Sequence, residues 1–150
     1  MPIQEIRHLV DPKVDSVKPF QVLVYAGYLA AGVHALIARR PPTAVSQILG
    51  PAAHFGWVTL LVLCPLLTYA GIPIARRTQR GLWLQVAGDS GIASASALYV
   101  AALSQTVYAG RASFALWVVL VLGICAGALV VRNVRTLLAV GRVVRSMNRE

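Results

Sequence analysis

Residues 112–131 read ASFALWVVLVLGICAGALVV, twenty positions without a charged side chain, followed at once by Arg132. A helix rising about 1.5 Å per residue covers roughly 30 Å over that length, the thickness of a bilayer's hydrocarbon core. A helix also satisfies its own backbone amides where no water is present, so this run reads as a membrane-crossing helix.

Three further stretches have the same character. The first, from Phe20 to about Ala38, is stopped by Arg39 and Arg40 and followed by Pro41-Pro42. The second runs from about His54 to Ala75 and ends at Arg76, Arg77 and Arg80. Pro65 within it predicts a kink, because proline removes a helical hydrogen bond. Between these two spans, Thr43 to Leu49 suggests one or two helical turns before Gly50-Pro51. The third stretch is less regular: Leu82 to Val86 is apolar, Gly88-Asp89-Ser90-Gly91 interrupts, and the apolar pattern resumes to about Ala109. This predicts an interfacial lead anchored by Trp83, with Asp89 or Ser90 capping the true span. Gly110-Arg111 then turns into the fourth.

The expected fold is all-α: a polytopic membrane protein with four transmembrane helices and a basic amphipathic C-terminal helix. Its segments are a cytoplasmic N-terminal stretch at 1–19, the four-helix domain at 20–131 and a cytoplasmic basic helix at 132–150. Composition agrees. Of 150 residues, 57% are hydrophobic and 13% charged, and the mean hydropathy of +0.68 lies above that of a water-soluble domain. A net charge of +9 would suit nucleic acid, but the basic residues flank the apolar runs, as in proteins that address anionic lipid headgroups. Nucleic acid is therefore not an expected partner; the lipid bilayer is. In an up-and-down chain, eleven Lys and Arg fall on the side of both termini and three on the other, so the positive-inside rule places both termini in the cytoplasm.

The ends carry their own patterns. Ile3, Ile6 and Val10 suggest a short amphipathic helix ended by Asp11-Pro12, and with balanced charge and no small-residue cleavage site the first run does not read as a removable signal. After Arg132, Arg135, Arg142, Arg145 and Arg149 fall on one side of a helix, and Leu137, Val140, Val143, Val144 and Met147 on the other. Such a helix can lie on the inner leaflet or dock a cytoplasmic protein.

Groups able to do chemistry are few. Cys64 and Cys125 lie in apolar runs with no partner at ligand spacing and read as packing residues. His34, His54 and Asp89 are the titratable candidates, since ionisable groups in spans are functional candidates by default, but each is expected near a span edge, snorkelling or capping. No motif of a hydrolase, nucleotide binder or zinc enzyme occurs. No catalytic residue, metal or cofactor is expected, and the chain does not read as an enzyme.

Two features point instead to self-association into a homo-oligomer. Ser90, Ser94, Ala97, Ala101, Ser104, Gln105 and Tyr108 lie within about 100° of one another on a helical wheel, a small and polar stripe on the third span. It can serve packing within one bundle or border water once copies assemble. Gly123 and Gly127 form a GxxxG pattern that allows helices to touch.

From about Phe20 onward the chain resembles the small multi-span holin-like membrane proteins of phages that infect actinobacteria. The resemblance is carried by the run Leu82 to Arg111 with its Gly88-Asp89-Ser90-Gly91 start, the short turn into the fourth span, and the Arg-rich segment from Arg132 to Arg149. It implies a protein that accumulates in the host membrane, oligomerises and depolarises or opens it for lysis. Four spans exceed the one to three of the simplest holins. The other expectation is a non-enzymatic membrane interaction subunit, such as a prophage exclusion or defence protein with a cytoplasmic partner.

Overall fold

The computed structural model describes residues 18–38, 43–75, 78–105 and 113–147, the side chains of Lys18, Ala38, 43–49, Pro51 and 143–147 excepted. They form four helices: α1 (Lys18–Ala38), α2 (Thr43–Ala75), α3 (Gln79–Ser104) and α4 (Ser113–Met147). Each contains a stretch long and apolar enough to cross a membrane, at Pro19–Ile37, Ala52–Ala75, Gln79–Ser104 and Ser113–Arg142. The all-α, four-span expectation therefore holds. The amphipathic segment expected at 3–10 lies outside the described residues.

Three details differ from the sequence reading. Within α2 the backbone leaves helical geometry at Gly50 (φ 74°, ψ 173°), ahead of Pro51, and keeps helical dihedrals across Pro65, where the kink was expected. In α3 there is no interruption at Gly88–Gly91, and neither Asp89 nor Ser90 caps anything: the helix starts at Gln79, with extended Thr78 before it, and runs through to Ser104. In α4 the helix continues past Arg132, as the sequence pattern predicts, but the apolar stretch reaches Arg142 rather than ending near Val131, and Asn133 and Val140 are buried within the bundle.

The glycines of α3 explain its continuity. A Cβ at Gly88 would collide with Thr68 Oγ1 and the Cys64 carbonyl; one at Gly91 would meet Cys64 Sγ; one at Gly81 would strike the Ala75 backbone. Together with Gly71, whose added Cβ would come 2.8 Å from the Gly81 carbonyl, they let α2 and α3 approach backbone to backbone. In lipid, where apolar side chains gain nothing by leaving solvent, such close van der Waals contact is a main source of helix association. The pairs Gly81-Leu82, Gly88-Asp89, Ala95-Ser96 and Ala102-Leu103 recur every seven residues and are all buried, a small residue beside a larger one at each step. Trp57 adds a hydrogen bond from Nε1 to the Ala95 carbonyl (3.0 Å) and stacks on Tyr99 with centroids 5.6 Å apart.

Around this hairpin, α1 packs on α2, with Gly32 against Leu61 and Val62, and α4 packs antiparallel on α3. Gly123 of α4 sits over Ser96, and Asn133 reaches Asp89. Among the described residues no Cα of α1 comes within 8 Å of one in α3 or α4, and none of α4 within 8 Å of one in α2. Outward faces carry large apolar side chains such as Leu23, Ile37, Phe55, Phe114, Trp117 and Ile124, while Gln21, Thr68, Asp89, Ser96 and Asn133 are buried. This is a multi-pass membrane architecture, apolar outside and polar within.

The Gly88→Ala variant should lose about 1–3 kcal/mol of unfolding free energy, the cost of overpacking. Gly27→Ala, where an added Cβ meets nothing within 4 Å, should lose none. Denaturation in bicelles compares the two.

Candidate functional site: a polar centre at Asp89

Asp89 is fully buried in the middle of the bundle, not at a span edge as the sequence reading placed it. Four side chains donate to its carboxyl. On Oδ1 these are Tyr25 Oη at 2.7 Å, Gln21 Nε2 at 3.2 Å and Thr68 Oγ1 at 3.4 Å; on Oδ2 it is Asn133 Nδ2 at 3.0 Å. The donors come from α1, α2 and α4, so one group on α3 ties all four helices together. Arg132, half-buried, directly precedes Asn133 on α4.

Each donor is delivered by a simple local rule. Gln21 and Tyr25 are four apart on α1 and share a face, and Thr68 lies opposite Gly88, whose missing side chain lets it approach. One heptad beyond Asp89, Ser96 gives its hydrogen to the Ile92 carbonyl (2.9 Å), so Tyr28 Oη donates to Ser96 Oγ across 2.8 Å. Long tyrosines thus bridge the wide α1–α3 gap, and Tyr69 Oη donates to the Val22 carbonyl at 2.6 Å.

The centre's chemistry follows from this geometry. Each of these four neighbours aims a hydrogen at the carboxyl, three at Oδ1 and one at Oδ2, so the carboxyl acts as a shared acceptor for the other three helices. Among the described residues no three His, Cys, Asp or Glu come together as a metal site needs. The arrangement holds helices in register.

The remaining sequence candidates lie apart from it. His34 is exposed, and His54 is half-buried beside Phe55 and Trp57 with Nδ1 unpartnered. Cys64 is buried and Cys125 exposed, both free. On the α3 stripe, Ser94, Ala97, Ala101, Ser104 and Gln105 are exposed and Ser90 half-buried; Tyr108 lies outside the described residues. The stripe sits roughly opposite the Gly88–Asp89–Ser96 face, so among the described residues it points away from the helices packed on α3. Of the GxxxG pair, Gly123 contacts Ser96 inside the bundle, whereas a Cβ at Gly127 would meet nothing within 4 Å. Arg135 and Arg142 are exposed, Arg145 lies on α4 with its side chain undescribed, and Arg149 is outside the described residues.

Sequence reasoning missed Gln21, Tyr25, Thr68 and Asn133. Gln21, Tyr25 and Thr68 share a signal, being polar residues inside otherwise apolar runs, which lipid-facing positions avoid; Asn133, between Arg132 and Arg135, does not carry it. Comparison of the chain with protein-family models, curated proteins and solved structures returns no match.

Asp89→Ala should destabilise the bundle by roughly 3–5 kcal/mol, since it strands four buried donors. Asn133→Ala should cost about 1.5–3 kcal/mol. In the double variant the two losses should fall well short of additive, read from unfolding in bicelles.

Proposed function

We propose that the chain is a non-enzymatic protein of a bacterial cytoplasmic membrane that associates with copies of itself and, once assembled, perturbs or permeabilises that membrane as holin-like phage proteins do. The observation that carries this reading is the exposed stripe Ser94, Ala97, Ala101, Ser104 and Gln105 on a membrane-crossing helix. Polar and small residues facing acyl chains gain from a second helix that permits close contact or from water in a shared lumen. The internal polar groups around Asp89 already satisfy one another, which speaks for an assembling scaffold over a ligand-binding or catalytic bundle. Termini on the cytoplasmic side, from the charge count, complete the reading.

A partner-dependent subunit, such as a prophage exclusion or defence component, is the second reading. It is favoured by Arg135 and Arg142, which α4 presents away from its packed face and which suit an acidic protein surface or the inner leaflet. Replacing both with Gln should release a bound partner in the second reading and leave self-assembly intact in the first.

Induced expression of the chain alone in a bacterial host, followed with a potential-sensitive dye and viable counts, tests the first reading. Abrupt depolarisation at a reproducible time is expected. Ser94→Leu combined with Ser104→Leu should delay or abolish it and reduce cross-linked oligomers at equal membrane levels. Continued growth at full potential would sink the proposal in favour of the partner-dependent subunit.

A further inference from the structure

The four helices are not held alike. Between α2 and α3 the backbones touch along Gly71, Gly81, Gly88 and Gly91. Among the described residues α4 makes no Cα approach within 8 Å to any helix but α3. Its packed strip consists of Gly123, Ala126, Asn133 and Val140, and its polar attachment is the Asn133–Asp89 bond. Before Arg132 the rest of its membrane stretch is mostly apolar and largely exposed, including Phe114, Trp117, Val121 and Ile124.

What α4 covers is partly polar: beside Ile92, which clusters with Ala126, lie two polar side chains. Ser96 lies beneath Gly123 and Asp89 beneath Asn133, both nearly or wholly inaccessible. Moving α4 aside exchanges helix contact for lipid contact along its apolar faces, a small change because lipid tails are as apolar as its neighbours. The same movement exposes Asp89 and Ser96. In a lone chain surrounded by lipid that is unfavourable, so the closed form holds. Where assembled copies supply water or polar partners, the opposition disappears.

We propose that α4 is a lid over the Asp89–Ser96 face of α3, latched by Asn133, and that its opening exposes this face to water in the assembled protein. The lid is a property of the single chain; its coupling to permeability rests on the function proposed above. Asn133 is then a positioning residue whose removal shifts the balance between closed and open forms without touching the α3 stripe.

The geometry supplies both a reporter and a lock. Ser96→Cys places a thiol at a site 2% exposed, so in reconstituted full-length protein a charged, water-soluble thiol reagent should modify it slowly, read by peptide mass spectrometry. Adding Asn133→Leu, which keeps bulk but removes the donor, should speed modification about tenfold, the equivalent of losing one hydrogen bond to a carboxylate. The lock is Ser96→Cys with Gly123→Cys: a Cβ at Gly123 would stand 3.0 Å from the Ser96 Cβ, short of the roughly 3.5–4.5 Å of a disulfide, so the bridge closes once α4 gives way by about half an ångström or more. Dye-loaded vesicles of phosphatidylethanolamine and phosphatidylglycerol carrying the double-cysteine protein should leak when it is reduced and stay sealed when it is oxidised. Equal labelling with and without Asn133→Leu, or equal leak from bridged and reduced protein, overturns the lid. If no variant leaks, the permeabilising function fails, while the labelling rates still decide whether α4 opens.

Discussion

A carboxyl group within a membrane-crossing helix is the constraint around which the rest of this structure is arranged. Removing such a group from water is costly unless hydrogen-bond donors replace the water, and one helix cannot supply them from its own face. Asp89 obtains four, from Gln21, Tyr25, Thr68 and Asn133 on three other helices. The partners fix which helices are neighbours, which faces meet and at what depth. A slip of α4 by one residue would rotate Asn133 away by about 100° and leave Oδ2 without its donor. Apolar packing in lipid is permissive, so the directional bonds carry the register.

Meeting that constraint requires two kinds of packing. Thr68 is short and reaches Asp89 because Gly88 leaves no Cβ in its way, which draws α2 onto α3. Tyr25, Tyr28 and Gln21 are long and reach α3 from a backbone more than 8 Å away. The heptad of small residues from Gly81 to Ala102 serves the first kind and the tyrosines of α1 the second. Replacing Gly88 would therefore disturb both the α2–α3 contact and the polar centre.

The spans were legible because twenty apolar residues bounded by arginine admit few other structures, and α1, α2 and α4 lie close to where hydropathy puts them. The α3 start was misread for a physical reason. Gly88-Asp89-Ser90-Gly91 has the composition of a turn when taken in isolation, but in lipid glycine marks close helix approach and a buried acid marks a bonded core. The seven-residue recurrence of Gly81, Gly88, Ala95 and Ala102 was present in the sequence and would have separated the two cases. Asn133 was hidden because the run of arginines from Arg132 drew the end of the fourth span to Val131, two residues short of it. Which solitary polar residues converge on Asp89 depends on helix rotation, and a single sequence leaves rotation open.

The result is a helix, α3, that carries two polar faces on opposite sides, one closed by the chain's own helices and one open. The inner face shows how this chain treats polarity in a span: each donor is matched and the small residues permit contact. By the same physics the outer face of Ser94, Ala97, Ala101 and Ser104 lacks a matching surface among the described residues, where these four stay exposed and Ser104 bonds back to the Ala101 carbonyl (2.8 Å). A helix from a second copy would supply the missing contact, and a face that repeats along α3 is suited to its own symmetry mate. The inner centre makes each chain a well-defined unit, and in the function proposed above the outer stripe is where such units meet.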